Sequence, residues 1–456
     1  MVKSIFTTKG TYRWMFFHLA LGILGTVSKY FFIAWIYLFI LFTINKLISD
    51  LIYRKSTKLV VISMGYICSF EVFGRMIKAY PYIPWEISKY LIFFISALIL
   101  LIFKFKINDY VGILLLFFLI PGVIIDKSNM VNLSISAFNL LGLIGMALLI
   151  IIINYEKINI DEFDMFIRLI WYSTITLLVY VVIKTPDYST IKFSLSAIHD
   201  TAGGFGSNQV ATILGLGMFL SFYAWMNKLL FSGNHTLDGI FIGLFAYQGF
   251  LTFSRGGIFV GVLGMIGYFV LLQKSETYNK LIKLRSLNPL FYFSFSIFIL
   301  FFSYALINDI TDGTIGLRYL GETSSTLTGH KIKTLNTITT GRVDIITEDL
   351  NIWYDHFIFG VGVGGSKYFR SSGTSNHTEL SRLLAEHGLF GLLFFLILFY
   401  SFFKNYFDKS NNMFREILLI LFLIGISTSM HSSMRTFVTP LLISISMLRV
   451  KKTEII

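Results

Sequence analysis

Long apolar stretches separated by short polar connections run along nearly the whole chain. A helix needs about 20 residues to cross a hydrocarbon core roughly 30 Å thick. On that measure candidate spans fall near 14–28, 30–48, 58–74, 89–103, 110–125, 134–153 and 166–184. More follow near 208–225, 238–252, 256–272, 289–307, 388–403, 415–430 and 435–449. Several are short enough for neighbours to merge into hairpins, so the pattern predicts 12–14 crossings. The predicted fold is all-α: a polytopic transmembrane helix bundle with one large external loop. That loop is the longest hydrophilic stretch, Asn308 to Ser381, which carries clusters of Gly, Ser and Thr and the pair Trp353–Tyr354. Loops of such length are usually functional or disordered. The chain thus divides into N-terminal transmembrane helices (1–200), helices with the Ser254–Gly257 turn (201–307), the external loop (308–387) and C-terminal helices (388–456).

Composition removes the main competing reading, a string of soluble domains. Of 456 residues 55% are hydrophobic and 14% charged, and the mean hydropathy is +0.72. Soluble domains carry about a quarter charged residues. The stretch Trp14–Ser28 lacks a small-residue cleavage site and is followed at once by another apolar run, so it reads as a span and not a signal peptide. The single cysteine, Cys68, excludes an internal disulfide and any cysteine-based zinc or iron–sulfur site.

The net charge of +13 would point to nucleic acid in a soluble protein, but here the charges sit in short connections and set topology. With the N-terminus inside, the cytoplasmic segments, including those around Lys46–Lys58, Lys157, Lys228 and Arg449, hold most of the Lys and Arg. The excess places both termini in the cytoplasm and the large loop outside, with no nucleic-acid partner.

Against that background, charged groups at external helix ends are candidates for chemistry. Arg75 follows Glu71 in one such place. Arg255 lies in the short connection Thr252–Gly257, where Gly256 and Gly257 are expected to allow a tight turn. A guanidinium fork suits phosphate oxygens; the bland alternative is an arginine snorkelling at the interface. Asn376-His377-Thr378-Glu379 reads as a capping box that puts His377 at the first helical position. The positive end of the helix dipole there disfavours imidazolium, leaving a neutral ring able to accept a proton. A polar residue merely opening a helix is the competing reading. Glu379, Arg382 and Glu386 share a helix face and are expected to form an ion-pair chain, with Arg382 and Glu386 in roles more structural than catalytic.

Two patterns fail. Gly360–Gly365 satisfies GxGxxG, but without the strand–turn–helix context it reads as a closely packed turn. His377-Thr378-Glu379 resembles the HxE of zinc deaminases, but the Cys-x-x-Cys is absent. His199, His330, His356 and His431 lack ligand spacing, so no metal site is expected.

Taken in order, the motifs resemble the O-antigen ligase and O-antigen polymerase superfamily of bacterial envelope enzymes. The matching features are Gly206–Ala211 (with Asn208) opening a helix, the turn Thr252–Gly257, and Gly341-Arg342 before an aromatic stretch. The Gly360–Gly365 turn and His377-x-Glu379, with Leu383–Gly391 leading into a span, complete the set. The likeness covers roughly residues 200–400. It implies a metal-independent, cofactor-free glycosyl transfer from a polyprenyl-pyrophosphate-linked oligosaccharide at the outer face of the plasma membrane. An acceptor hydroxyl would attack the anomeric carbon and the lipid pyrophosphate would leave. The resemblance implies Arg255, Arg342 and, more weakly, Arg75 as pyrophosphate ligands, His377 as the group that activates the acceptor, and Asn208, Glu379, Arg382 and Glu386 in support. Asn before His377 and Thr after it depart from the family's commoner His-Asn pairing. The first reading is a polymerase of surface-polysaccharide repeat units, with membrane lipid and polysaccharide-export proteins as partners. A ligase moving the finished glycan to lipid A–core or another acceptor, and a flippase for the same lipid-linked glycan, are the alternatives.

Overall fold

The computed structural model describes every residue except 1–7, 54–55, 103–109, 275–287, 372, 374–377, 408–413, 433, 435 and 452–456. The described residues are mostly helical. Each predicted span falls on a helix, and among the described residues eight helices are, by length and composition, long and apolar enough to cross a membrane, against the 12–14 crossings expected. They are Lys29–Ile52, Lys58–Met76, Leu133–Asn154, Ile160–Lys184, Ser207–Asn227, Arg255–Gln273, Pro289–Ile310 and Leu389–Phe407. Ile87–Ile102 and Val111–Ile124 are apolar but shorter, and His235–Leu251 and Arg415–Ser429 also fall short of that length. The predicted span 435–449 holds only the short helix Val438–Ile445, every residue of which is buried. Its apolarity serves the interior.

Side-chain caps set several helix starts. Asn132 accepts from Ile135 N, Asn234 from Thr236 N, and Asn288 from Phe291 N with Pro289 at the first helical position. Beside the helices there is one short two-stranded parallel ribbon among the described residues: Lys157–Asn159 pairs with Arg449–Lys451, in the register Lys157 to Arg449.

The chain forms two compact units, each discontinuous in sequence. The first comprises Met1–Leu41, Gly65–Trp85 and Asp161–Lys333. Its core includes Trp171, Tyr172, Phe219 and Phe222. The helices Ser207–Asn227 and Arg255–Gln273 pack backbone to backbone: a Cβ on Gly257 would lie 2.3 Å from Ala211 C, and one on Gly261 would lie 2.6 Å from Gly215 O. Small residues spaced four apart on both helices allow this approach. The order of the contacts makes the two helices parallel, so their N-termini lie at the same end.

The second unit comprises Phe42–Met64, Glu86–Ile160 and Thr334–Ile456. At one end Glu156 accepts from Ser56 Oγ and Thr57 N, both at 2.8 Å, beside the ribbon that holds Lys157 and Arg449. These are segments the charge pattern assigns to one side. At the other end Lys127 N donates to Val361 O and Val363 N to Gly122 O.

Candidate functional site

In the first unit the helix Ser207–Asn227 begins, as expected, at the Gly206–Ala211 motif. Asn208 Oδ1 accepts from Ser254 Oγ at 2.7 Å, and Ser254 immediately precedes the helix that Arg255 opens. The next residue, Gln209, faces Arg75, whose Nη1 stands 3.5 Å from its Oε1. Arg75, Asn208 and Arg255 are therefore brought together at the ends of two parallel helices. Each helix N-terminus presents backbone N–H groups and the positive end of a dipole, an arrangement that favours anions.

The turn itself differs from the expectation. The helix His235–Leu251 ends and the next begins at Arg255, and the residue with left-handed backbone is Phe253, at φ 55°, not a glycine. Gly256 and Gly257 lie within the first helical turn. Gly257 is required by the close approach to Ala211 and not by the turn. Arg318, which the sequence reading overlooked, holds this turn: its Nε donates to Phe253 O at 2.6 Å and its Nη1 bonds Leu195 O. Arg255 Nη1 donates in turn to Arg318 O at 2.8 Å. Beside it the Tyr319 hydroxyl is buried without a hydrogen-bond partner among the described residues, and burial holds its pKa above the ordinary phenol range. Arg75 is engaged by Glu71 and by Trp85 O at 3.0 Å.

The second unit holds the remaining candidates. Arg342 opens the helix Arg342–Asp355 after Gly341, at φ 81°. Its Nη1 donates to Thr339 O at 2.8 Å and its Nη2 to His431 O at 3.3 Å. Glu379, Arg382 and Glu386 form the predicted ion-pair chain: Arg382 bonds Glu379, and its Nη1 stands 3.5 Å from Glu386 Oε2. All three are buried. Burial raises the Glu386 pKa, with the Arg382 charge opposing it. Burial works against the charge of Arg382 as well, but the two carboxylates outweigh it and hold its pKa above the usual range.

The expected capping box is not how this helix starts. The helix is Glu379–His387, with Thr378 at its N-cap, and Glu379 Oε2 accepts from Met434 N at 3.1 Å. Asn376 and His377 lie outside the described residues. The ion pairs extend through Ser366, which donates to Glu386 Oε1 at 2.9 Å, to a buried pair that the sequence reading also missed. Arg370 donates from Nε and Nη2 to Asp349 Oδ1 at 2.8 and 2.6 Å, and Ser381 Oγ donates to Asp349 Oδ2 at 2.6 Å. The Gly360–Gly365 segment is the closely packed turn expected. Gly360, Gly362 and Gly364 have φ of 72°, 94° and 78°, and a Cβ on Gly362 would lie 1.9 Å from Ile125 O. Val361 N and Gly362 N donate to Ala385 O and Glu386 O, both at 3.0 Å, so this turn steadies the end of the ion-pair helix.

Among the described residues no group of three or more His, Cys, Asp or Glu side chains is placed to hold a metal ion. No family model matches this chain, and no curated protein matches it.

Proposed function

We propose that this protein is a membrane glycosyl-transfer enzyme that joins polyprenyl-pyrophosphate-linked oligosaccharide repeat units of a surface polysaccharide at the outer face of the plasma membrane. The observation that carries this reading is the meeting of Arg255, Asn208 and Gln209 at the N-termini of two parallel helices. A leaving pyrophosphate gathers negative charge, and donors aimed where that charge develops stabilise the transition state. Arg255 is the direct phosphate ligand in this proposal. Arg75, tied to Glu71 and Trp85 O, holds the start of the Ser207–Asn227 helix.

In the reaction the acceptor hydroxyl oxygen forms a bond to the anomeric carbon of the donor, and the bond from that carbon to the pyrophosphate oxygen breaks. The hydroxyl proton passes to His377 and the lipid pyrophosphate departs as the anion. Arg342 is assigned to the same substrate's phosphates on the strength of the motif order alone. The buried ion pairs around Arg382 give the segment that follows His377 a rigid base.

The test is direct: purified protein in detergent receives lipid-linked repeat units and nothing else. Products longer than one repeat unit support polymerisation. Transfer seen only when a distinct acceptor is added identifies a ligase, and no glycosidic bond with either substrate overturns the enzyme reading in favour of transport.

A further inference from the structure

The helix Arg342–Asp355 ends in an aromatic run that the proposed chemistry leaves unused. Tyr354 is 84% exposed and Ile358 55%, with Phe357 and Phe359 also exposed beside them. Contiguous apolar surface of this kind marks an interaction site. Its position says with what. Leu389 N donates to Phe357 O at 2.7 Å and approaches Ile358 O at 3.1 Å, which fastens the run to the first residue of the helix Leu389–Phe407. The Phe359 ring stacks on Phe390 at 5.9 Å, and Phe390 meets Phe118 of the helix Val111–Ile124 at 6.3 Å. On those two helices Phe117, Ile120, Ile124 and Leu396 are exposed and apolar. The aromatic run therefore continues, past the helix ends, the same apolar face.

The rim includes two lysines, with Asp355 exposed within the run itself. Lys127 Nζ stands 3.0 Å from His356 Nδ1, and Lys367 lies over the Tyr368 ring at 4.5 Å. Aromatic rings backed by apolar side chains and edged by lysines are the composition of the membrane–water boundary, where rings sit at headgroup level and lysines meet lipid phosphates. We propose that Tyr354–Phe359 docks on the bilayer surface, with Phe357, Ile358 and Phe359 at the acyl boundary and Lys127 and Lys367 at the headgroups. This rests on the reading that Val111–Ile124 and Leu389–Phe407 lie in the membrane. Arg342 and the docked run stand at opposite ends of one helix of 14 residues, about 20 Å apart at 1.5 Å per residue.

Spin labels test this on the full chain in lipid nanodiscs. Buried Cys68 takes up little label and serves as the blank. Single cysteines go in by Tyr354→Cys and Ile358→Cys, with Phe117→Cys as the lipid-facing control and Thr328→Cys as the polar one. Collisions with dissolved oxygen and with a water-soluble nickel chelate are compared. Labels at 354 and 358 should favour oxygen, as at 117, while 328 favours the chelate. If 354 and 358 behave like 328 while 117 does not, the docking is overturned and the membrane reading stands. If 117 also behaves like 328, the membrane reading falls with it. Suppression of both collisions at 354 and 358 means that protein covers the run, which overturns the lipid as occupant.

Discussion

Arg255 donates to the backbone carbonyl of Arg318 at 2.8 Å, although 63 residues separate them. Arg318 in turn holds the Thr252–Ser254 turn through Phe253 O, so both arginines brace the place where two helix N-termini already favour anions. Neighbouring positive charges repel one another unless something negative lies near. The carbonyls of Phe253, Leu195 and Arg318 accept hydrogen bonds from them, and in the proposed function a bound diphosphate adds negative charge.

Arg255→Ala should weaken binding of the polyprenyl pyrophosphate lipid by roughly 10- to 100-fold, the equivalent of about 1.5–3 kcal/mol for a charge-assisted hydrogen bond. Lys should substitute poorly, because a point charge does not reproduce the planar fork. Titration of the purified variants with the lipid measures this; unchanged affinity in both variants removes the phosphate assignment.

His377→Ala should abolish transfer while leaving expression and lipid binding close to the parent protein. The separation matters because loss of both would indicate a folding role. A variant with full elongation activity removes His377 from the chemistry.

The Asp349–Arg370 pair is fully buried and bonded on both sides. Arg370→Met alone should destabilise the second unit by about 3–5 kcal/mol, because it strands a buried carboxylate. The double change Asp349→Leu with Arg370→Met should recover most of that loss, since neither charge then remains buried. Thermal denaturation in detergent distinguishes the two. Equal losses in the single and double variants would show that the pair acts through packing and not through charge.

Two buried histidines predict a pH dependence of a definite sign. Burial, aided by the Arg382 charge, lowers the His387 pKa to about 3, and burial with the Arg342 charge lowers that of His431 to about 4. The unfolded chain, near the ordinary 6.5, therefore takes up these protons first. Stability is full above about pH 6.5 and falls as the pH drops toward 3–4, by about 2 kcal/mol per histidine at pH 5. Glu386, whose pKa burial raises, acts in the opposite sense above its unfolded value. Comparison with His387→Gln and His431→Gln isolates the histidines: each should flatten the fall in melting temperature between pH 7 and 5. Parallel profiles would refute the assignment.

The hydrophobic pattern alone located the helices that carry Arg75, Asn208 and Arg255, because an apolar run of that length must be buried or lie in lipid whatever its neighbours, whereas the helix that Arg342 opens lies in the stretch read as a loop. The helical period likewise placed Glu379, Arg382 and Glu386 on one face, and their ion pairs need no information beyond a turn or two of helix. The segments read as one side from charge, around Thr57, Glu156 and Arg449, meet at one end of the second unit.

Only the tertiary structure decided the rest. It showed that 435–449 is apolar because it is core, that Gly257 serves a helix crossing, and that the helix expected from Asn376 begins at Glu379. It also supplied Arg318 and the Asp349–Arg370 pair, each looking like an ordinary charge in a polar stretch until its partner arrives. The division has a simple cause. Burial and helix period are properties of neighbouring residues and are written locally, whereas the partner of a buried charge is chosen by segments tens of residues away that meet only once the chain has folded.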